Sequence, residues 1–193
     1  MNLFFERAIW QFSRFGRIII YRGLGMETMD IDALFEKNAR QLALSLGNAI
    51  DAALASNETL KNAEQRNNLA HIYISFLFSA VLCKQPWLRI DFYDEGNRAN
   101  AAYSSTEWDA PEISGELYAE ANTLAKRGGI TKEYELERIW FDLSEGNYQA
   151  FERHLPEIIH ECREAQELKC QWHFGQYLGG TKTIWGSEND EIL

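Results

Sequence analysis

The chain has 193 residues and a formal net charge of −10, with 46% hydrophobic and 13% aromatic residues. This length fits one domain, and this apolar content excludes global disorder because burial can offset the entropy cost of ordering the chain. The acidic charge excludes nucleic-acid binding through phosphate contacts, which needs clustered lysine and arginine, and favours basic proteins as partners.

The first 25 residues differ in charge from the rest. Four arginines and one glutamate give them a net charge of +3, which leaves −13 for residues 26–193. Apolar residues between Phe5 and Ile19 recur at helical spacing, a pattern typical of a basic amphipathic helix on a membrane. Met26 and Met29, however, come just before a clear helix start. We therefore predict a basic N-terminal extension over residues 1–25, outside the folded body, and a single acidic domain over residues 26–193.

Two helices are predicted first in the acidic domain. Apolar residues over 31–54 follow a 3.6-residue period, with Asp30 or Asp32 as the N-cap, so this helix should end near Ser56. A second helix is predicted over residues 57–83. Its second half is apolar nearly all round, which indicates the buried spine of the fold.

Three more helices are predicted farther along the chain. The first is entered at Asp109 and stops at Gly128, and the second starts at Thr131 and is broken by Ser144–Asn147. The third carries apolar residues from Tyr148 to Ala165. Its Pro156 removes a backbone hydrogen bond and is expected to kink or restart that helix.

Two hairpins are predicted between and after these helices. Residues 88–93 alternate with a period of two, and residues 98–106 can pair back as a weaker strand. Residues 168–174 also alternate, and Gly179–Gly180 predicts a two-residue turn. The predicted fold class is α+β, with about five helices packed on a small antiparallel sheet of about four strands.

The stretch from Arg153 to Ala165 is rich in possible metal ligands. Glu157 and His160 form one Glu-x-x-His pair, but a dimetal site needs a second pair, which the sequence lacks. His154 and His160 lie six residues apart, whereas the zinc protease motif needs four. These residues and Glu161 could serve a metal-dependent or hydrolytic enzyme. Alternatively, they coat the wet face of a helix whose other side packs in the core.

Other chemical motifs are absent from the sequence. It contains neither a phosphate-binding loop nor a nucleophile elbow, so we expect no cofactor and no enzymatic activity. Cys83, Cys162 and Cys170 lack a C-x-x-C spacing, which favours reduced thiols and a cytoplasmic location. The most apolar window is shorter than the roughly 20 residues of a bilayer span, so we expect no membrane contact by the body.

A segment around the first hairpin mixes acids with aromatics. Such loops suit a protein interface in which aromatic side chains anchor the partner and carboxylates accelerate encounter. The same residues also fit an ordinary strand pair with solvated turns. The residues predicted to bind a partner are Asp91, Tyr93, Asp94, Glu95, Tyr103, Glu107, Trp108 and Asp109.

The acidity, small size and lack of catalytic motifs make the chain resemble bacterial immunity proteins in overall character. Those proteins neutralise cationic toxin domains, often nucleases. The resemblance implies a cytoplasmic inhibitor that binds a basic toxin domain and covers its active site or substrate groove. The alternatives are the enzyme described above and a helical scaffold or regulatory adaptor of a bacterial or phage system.

Overall fold

A computed structural model describes residues 10–12, 17–22, 25–57, 68–83, 87–127 and 132–186. Its helices are α1 (Ile31–Ser56), α2 (Phe78–Leu82), α3 (Pro111–Arg127), α4 (Glu133–Glu161) and α5 (Arg163–Gln166). Its strands are β1 (Trp10–Phe12), β2 (Arg17–Arg22), β3 (Gly25–Asp30), β4 (His71–Phe76), β5 (Leu88–Tyr93), β6 (Ser104–Trp108), β7 (Gln171–Gln176) and β8 (Thr181–Trp185). The predicted α+β class is confirmed. No helix in these ranges is long and apolar enough to cross a membrane.

Strands β1, β2 and β3 form a three-stranded antiparallel sheet in that order. In its middle strand, Ile18 pairs with Phe12 on one side and with Met29 on the other. The helical interpretation of residues 5–19 is therefore wrong for the part that is described. Three consecutive isoleucines, Ile18 to Ile20, favour a strand because β-branched side chains pack well on a pleated surface. The domain boundary at residue 25 stays a prediction.

Helix α1 begins and ends as predicted. The side chain of Asp30 accepts a hydrogen bond from the backbone N–H of Ala33 at 3.1 Å, which caps the first turn. Leu42, Leu46 and Ile50 are fully buried on one face of this helix. That face packs against α4 and the sheet.

A second sheet has five strands in the order β6-β5-β4-β7-β8. The two predicted hairpins, β5–β6 and β7–β8, are both confirmed, each as an antiparallel pair. Strand β4 lies between them, antiparallel to β5 and parallel to β7. The sheet is therefore mixed and five-stranded, where we predicted an antiparallel sheet of about four strands.

The helix predicted over residues 57–83 is wrong in its second half. His71–Phe76 is the central strand β4, and only Phe78–Leu82 is helical. The run is apolar all round because a central strand is covered on both faces, a pattern that a buried helix also shows. The first half of that prediction, residues 58–67, lies outside the described residues.

Helix α4 runs from Glu133 to Glu161 without the predicted break at Ser144–Asn147 and without a restart at Pro156. Ser144 and Asn147 are buried, so tertiary packing outweighs their weak helix propensity. The chain leaves α4 at Cys162, and α5 is a separate short helix.

The turn between β7 and β8 is longer than the predicted two residues. Gly175 pairs with Thr181, and the backbone N–H of Gln176 donates to the carbonyl of Gly180 at 3.1 Å. A Cβ atom at Gly175 would collide with the Gly180 carbonyl, so the close approach of the two strands requires glycine. The backbone N–H of Tyr177 donates to the carbonyl of Phe76, which continues the β4–β7 pairing past the end of β7.

Trp108 lies on the side of β6 that faces the helices, so replacing it measures how much its contacts stabilise the core. The residue is 2% exposed, its indole N–H donates to Ser45 Oγ at 3.0 Å, and its ring packs edge-on against Phe151. We expect Trp108→Phe to lower the free energy of unfolding by about 1–3 kcal/mol, because it removes a buried donor and leaves a void. Urea denaturation measures this loss. Glu107→Gln, at the exposed neighbouring position, should stay within about 0.5 kcal/mol of wild type; equal effects of the two changes would contradict the assignment.

Candidate functional site

One row of side chains crosses the second face of the five-stranded sheet, opposite the face that packs on α1 and α4. These residues are neighbours in the strand register, and alternate residues of each strand point to the same face. We call them the polar row. The polar row consists of Ser105, Asp91, Tyr73, His173 and Thr183, one from each strand.

Hydrogen bonds and a ring contact connect the polar row on either side of the Asp91–Tyr73 pair, whose residues are neighbours in the strand register. Ser105 Oγ donates to Asp91, and the Tyr73 and His173 rings stack with centroids 4.3 Å apart. His173 Nδ1 and Thr183 Oγ1 are hydrogen-bonded at 3.1 Å. Both ends of the row are exposed, whereas its three central residues are buried. The centre of the row is therefore shielded from solvent.

Two arginine side chains contact the polar row. Arg89 Nε donates to both carboxylate oxygens of Asp91, at 2.9 and 3.0 Å. The Arg98 guanidinium lies 3.9 Å from the centroid of the Tyr73 ring, and Arg98 Nη1 donates to the carbonyl of Gly179 at 3.3 Å. Arg98 thereby connects the β5–β6 loop to the β7–β8 turn.

His173 carries the clearest electrostatic signature in the row. It is 8% exposed, and its Nε2 shares a 3.1 Å hydrogen bond with His71 Nδ1. Burial, followed by the nearby His71 and Arg98, lowers the pKa of His173 to about 4. The ring is therefore neutral at neutral pH. In a neutral imidazole one ring nitrogen donates and the other accepts, so one of the two facing nitrogens can donate to the other. If both rings were charged, two N–H groups would face each other.

The residues predicted to bind a partner are divided between the core and the surface. Asp91, Tyr93 and Trp108 are buried, so they do not offer a contact surface to a partner in this structure. The hydroxyl of partly buried Tyr103 donates to Asp94, at 3.3 Å. Hydrogen bonds, first from the Asn100 amide, hold the pKa of the Asp94 carboxyl below its usual value. The exposed side chains of this set are carboxylates, at Glu95, Glu107 and Asp109.

The structure does not bring the candidate metal ligands of α4 together. His154 Nε2 contacts Asp32 Oδ1 at 2.9 Å and its ring stacks on Phe35, so it joins α4 to α1. Glu157 and Glu161 are exposed, and exposed His160 lies beside the Trp185 ring. Within the described ranges, no group of three His, Cys, Asp or Glu side chains could hold a metal ion.

His154 has a structural role through its contact with Asp32, not a role in binding a metal. Arg153 Nη2 also contacts Asp32 Oδ1, at 2.6 Å. Burial raises the pKa of Asp32, but hydrogen bonds from Arg153 and His154 outweigh burial and hold this pKa below its usual value. The carboxylate therefore stays charged and links two helices, a structural role.

A surface groove was missed by sequence reasoning. It has a volume of about 700 Å³ and lies between α4, α2 and the ends of β4, β7 and β8. We call it the α4 groove. Its aromatic lining residues are Phe76, Phe78, Phe141, Tyr148 and Phe174. Phe76 stacks on Tyr148 with ring centroids 4.1 Å apart, and Phe78 lies at the opening with 49% of its surface exposed.

Carboxylates on α4 line the groove and continue from it toward the start of the helix. Glu145 and Glu152 line the groove, whereas Glu133 and Glu137 precede Phe141 in steps of four residues, which are neighbours on a helix surface. We call these carboxylates the acidic stripe. The acidic stripe consists of Glu133, Glu137, Glu145 and Glu152. Among the described residues, the only ion pair in the stripe joins Glu152 Oε1 to Lys182 Nζ, at 2.7 Å.

The sequence contained a signal for the stripe but not for the groove. The four-residue spacing from Glu133 through Phe141 to Glu145 is visible in the chain. Phe76 and Phe78, however, fell within a run that was interpreted as one buried helix. Their position beside α4 depends on β4 pairing with β7, which no local pattern indicates.

We expect the folded protein to lose stability in acid because His173 is buried in its neutral form. An unfolded histidine titrates near pH 6.5, whereas His173 titrates at about 4 in the fold. As the pH falls between these values, the unfolded state gains a proton that the folded state excludes. The free energy of unfolding should fall by about 1.4 kcal/mol per pH unit, and by about 3 kcal/mol in all.

Urea denaturation of wild type and His173→Gln between pH 7.5 and 4 measures this contribution. The variant should lack the additional acid-side loss, so the difference between the two stabilities should shrink as the pH falls. Parallel stability curves would contradict it.

No family model matches the chain, and no curated protein or solved structure is significantly similar to it. The function is therefore inferred from the contacts, burial and charges described above.

Proposed function

We propose that this chain is a non-enzymatic, cytoplasmic protein-binding protein that neutralises a basic partner. The partner class that fits best is a cationic toxin domain such as a nuclease, which makes the chain an inhibitor of the immunity or antitoxin type. The acidic stripe is the observation that carries this proposal. Glu133, Glu137 and Glu145 are exposed and have no ion-pair partner among the described residues.

Glu133 and Glu137 lie one helical turn apart, and like charges at this spacing repel each other and reduce helix stability by a few tenths of a kcal/mol. A partner that supplies lysine or arginine compensates this pair. Uncompensated surface charge also accelerates encounter with an oppositely charged protein and excludes partners of like charge. In an inhibitor, these carboxylates would lie over the basic surface that a nuclease uses to hold its substrate.

A second acidic surface fits the same role. Residues 87–116 contain two arginines and seven carboxylates, a net charge of −5. Glu95, Glu107 and Asp109 in this segment are exposed and form no ion pair with a described residue. These three are the members of the sequence-predicted interface that remain available for a partner, and they provide a natural comparison for the stripe.

Affinity capture from lysate of the source cells, with the full chain as bait, tests the proposal. Three baits are compared: wild type, Glu133→Lys/Glu137→Lys/Glu145→Lys, and Glu95→Lys/Glu107→Lys/Asp109→Lys. Both variants change the net charge by the same amount. We expect wild type and the second variant to retain one basic protein that elutes as salt rises, and the stripe variant to lose it, because rim charges control association.

The activity of the captured protein then tests neutralisation directly, since adding the purified chain should inhibit it. A wild-type bait that retains no basic protein at any salt concentration would contradict the proposal. Loss of the partner only from the variant with changes at Glu95, Glu107 and Asp109 would instead assign the contact to the sequence-predicted surface.

A further inference from the structure

The α4 groove and the acidic stripe lie side by side, and together they indicate what shape of partner fits. We propose that this surface binds an amphipathic basic helix, with apolar side chains in the groove and lysine or arginine along the stripe. The inference rests on the proposed function for the charge of the partner. It adds the binding site and the structural class of the segment that is bound.

Phe78 contributes exposed apolar surface to the groove. Its ring lies at the groove opening, 5.8 Å from Phe76 and 6.3 Å from Phe141 between centroids, and half of its surface is in water. Contiguous aromatic surface of this kind, bordered by polar groups, is typical of protein interaction sites. Covering these rings removes apolar surface from water and provides the binding energy that charge pairs at a rim do not.

The charges specify the other half of the bound segment. From Glu133 to Glu152 the stripe extends over 19 residue steps of α4, about 28 Å at the rise of an α-helix. Glu133 and Glu137 are one turn apart, and Glu145 and Glu152 follow at intervals of about two turns. A helix that packs beside α4 presents its own side chains at whole-turn spacing, so basic residues one or two turns apart can face these carboxylates.

Backbone pairing in the groove walls favours a helix over an extended strand. An added strand needs a free strand edge to bond with. Strands β4 and β7 are each paired on both sides, and α4 satisfies its backbone internally. The edge strand β8 has one unpaired side but contributes only Thr181 and Lys182 to the lining. Most of the groove therefore offers a partner side chains, which is the way helices pack.

Titration calorimetry with synthetic peptides tests the inference on the full chain. The probe is an amphipathic peptide of about 18 residues with leucine on one face and lysine on the other. A second peptide of the same pattern replaces every lysine with glutamate, and a third replaces every leucine with glutamine. We expect only the leucine–lysine peptide to bind at physiological ionic strength.

Matched variants locate the binding site. Phe78→Ser removes the exposed ring of the groove, and Leu44→Ser removes a similarly exposed apolar side chain from α1, outside the groove. Glu145→Lys reverses a stripe charge, and Glu157→Lys reverses an exposed charge on the same helix away from the groove. Phe78→Ser and Glu145→Lys should each weaken binding about tenfold, while both control variants should bind like wild type.

Three outcomes would overturn the inference: no binding of the leucine–lysine peptide, equal binding by all variants, or equal binding of the glutamine-substituted peptide. Light scattering adds a fourth, a dimer that Phe78→Ser dissociates, since the groove would then hold a second copy of this chain. Each of these leaves the capture result unaffected, so the proposed function can survive if the groove assignment fails. Circular dichroism melts confirm that each variant is folded.

Discussion

The fold depends on the central position of β4. One face of this strand lies in the apolar core, and the other belongs to the polar row. Ile74 lies between Ile90 and Phe174 on the side that packs against the helices. Its neighbour Tyr73 lies between Asp91 and His173 on the opposite side, within the polar row. One face is stabilised by burial of apolar area, and on the other the buried Asp91 and His173 side chains are hydrogen-bonded. A shift of the strand by one residue would exchange the two faces and lose both.

The same strand also produces the candidate binding surface. Phe76 ends β4 next to Phe174 of β7. The chain then enters α2, which places Phe78 just beyond the end of the central strand. Helix α4 crosses beside these rings and adds Tyr148. The groove is thus the place where the sheet ends before the helix does, so its aromatic floor and the carboxylates of α4 come from separate parts of the chain.

Local patterns in the sequence predicted what local forces determine. The Asp30 cap, the length of α1 and both hairpins follow from side-chain period and turn chemistry. Strand β4 could not be predicted in this way, since Ile72, Tyr73 and Ile74 are all buried and leave no alternation to read. The contact of His154 with Asp32, 122 positions away in the chain, has no local signal either. Tertiary packing also overrode propensity at Ser144–Asn147 in α4. The acidity of the surface is thus visible in the sequence, whereas the arrangement of the candidate site depends on contacts between distant parts of the chain.

The parallel pairing of β4 with β7 has a consequence for how the protein is made. His71 pairs with Gln171, so the two strands are separated by 100 positions in the chain. During synthesis β4 can meet β5 early, but its other edge stays open until β7 has emerged from the ribosome. Pairings of such long range slow folding, and an open apolar edge favours association with other chains. Nascent chains should therefore be most vulnerable to aggregation in the interval between the emergence of residue 93 and that of residue 176.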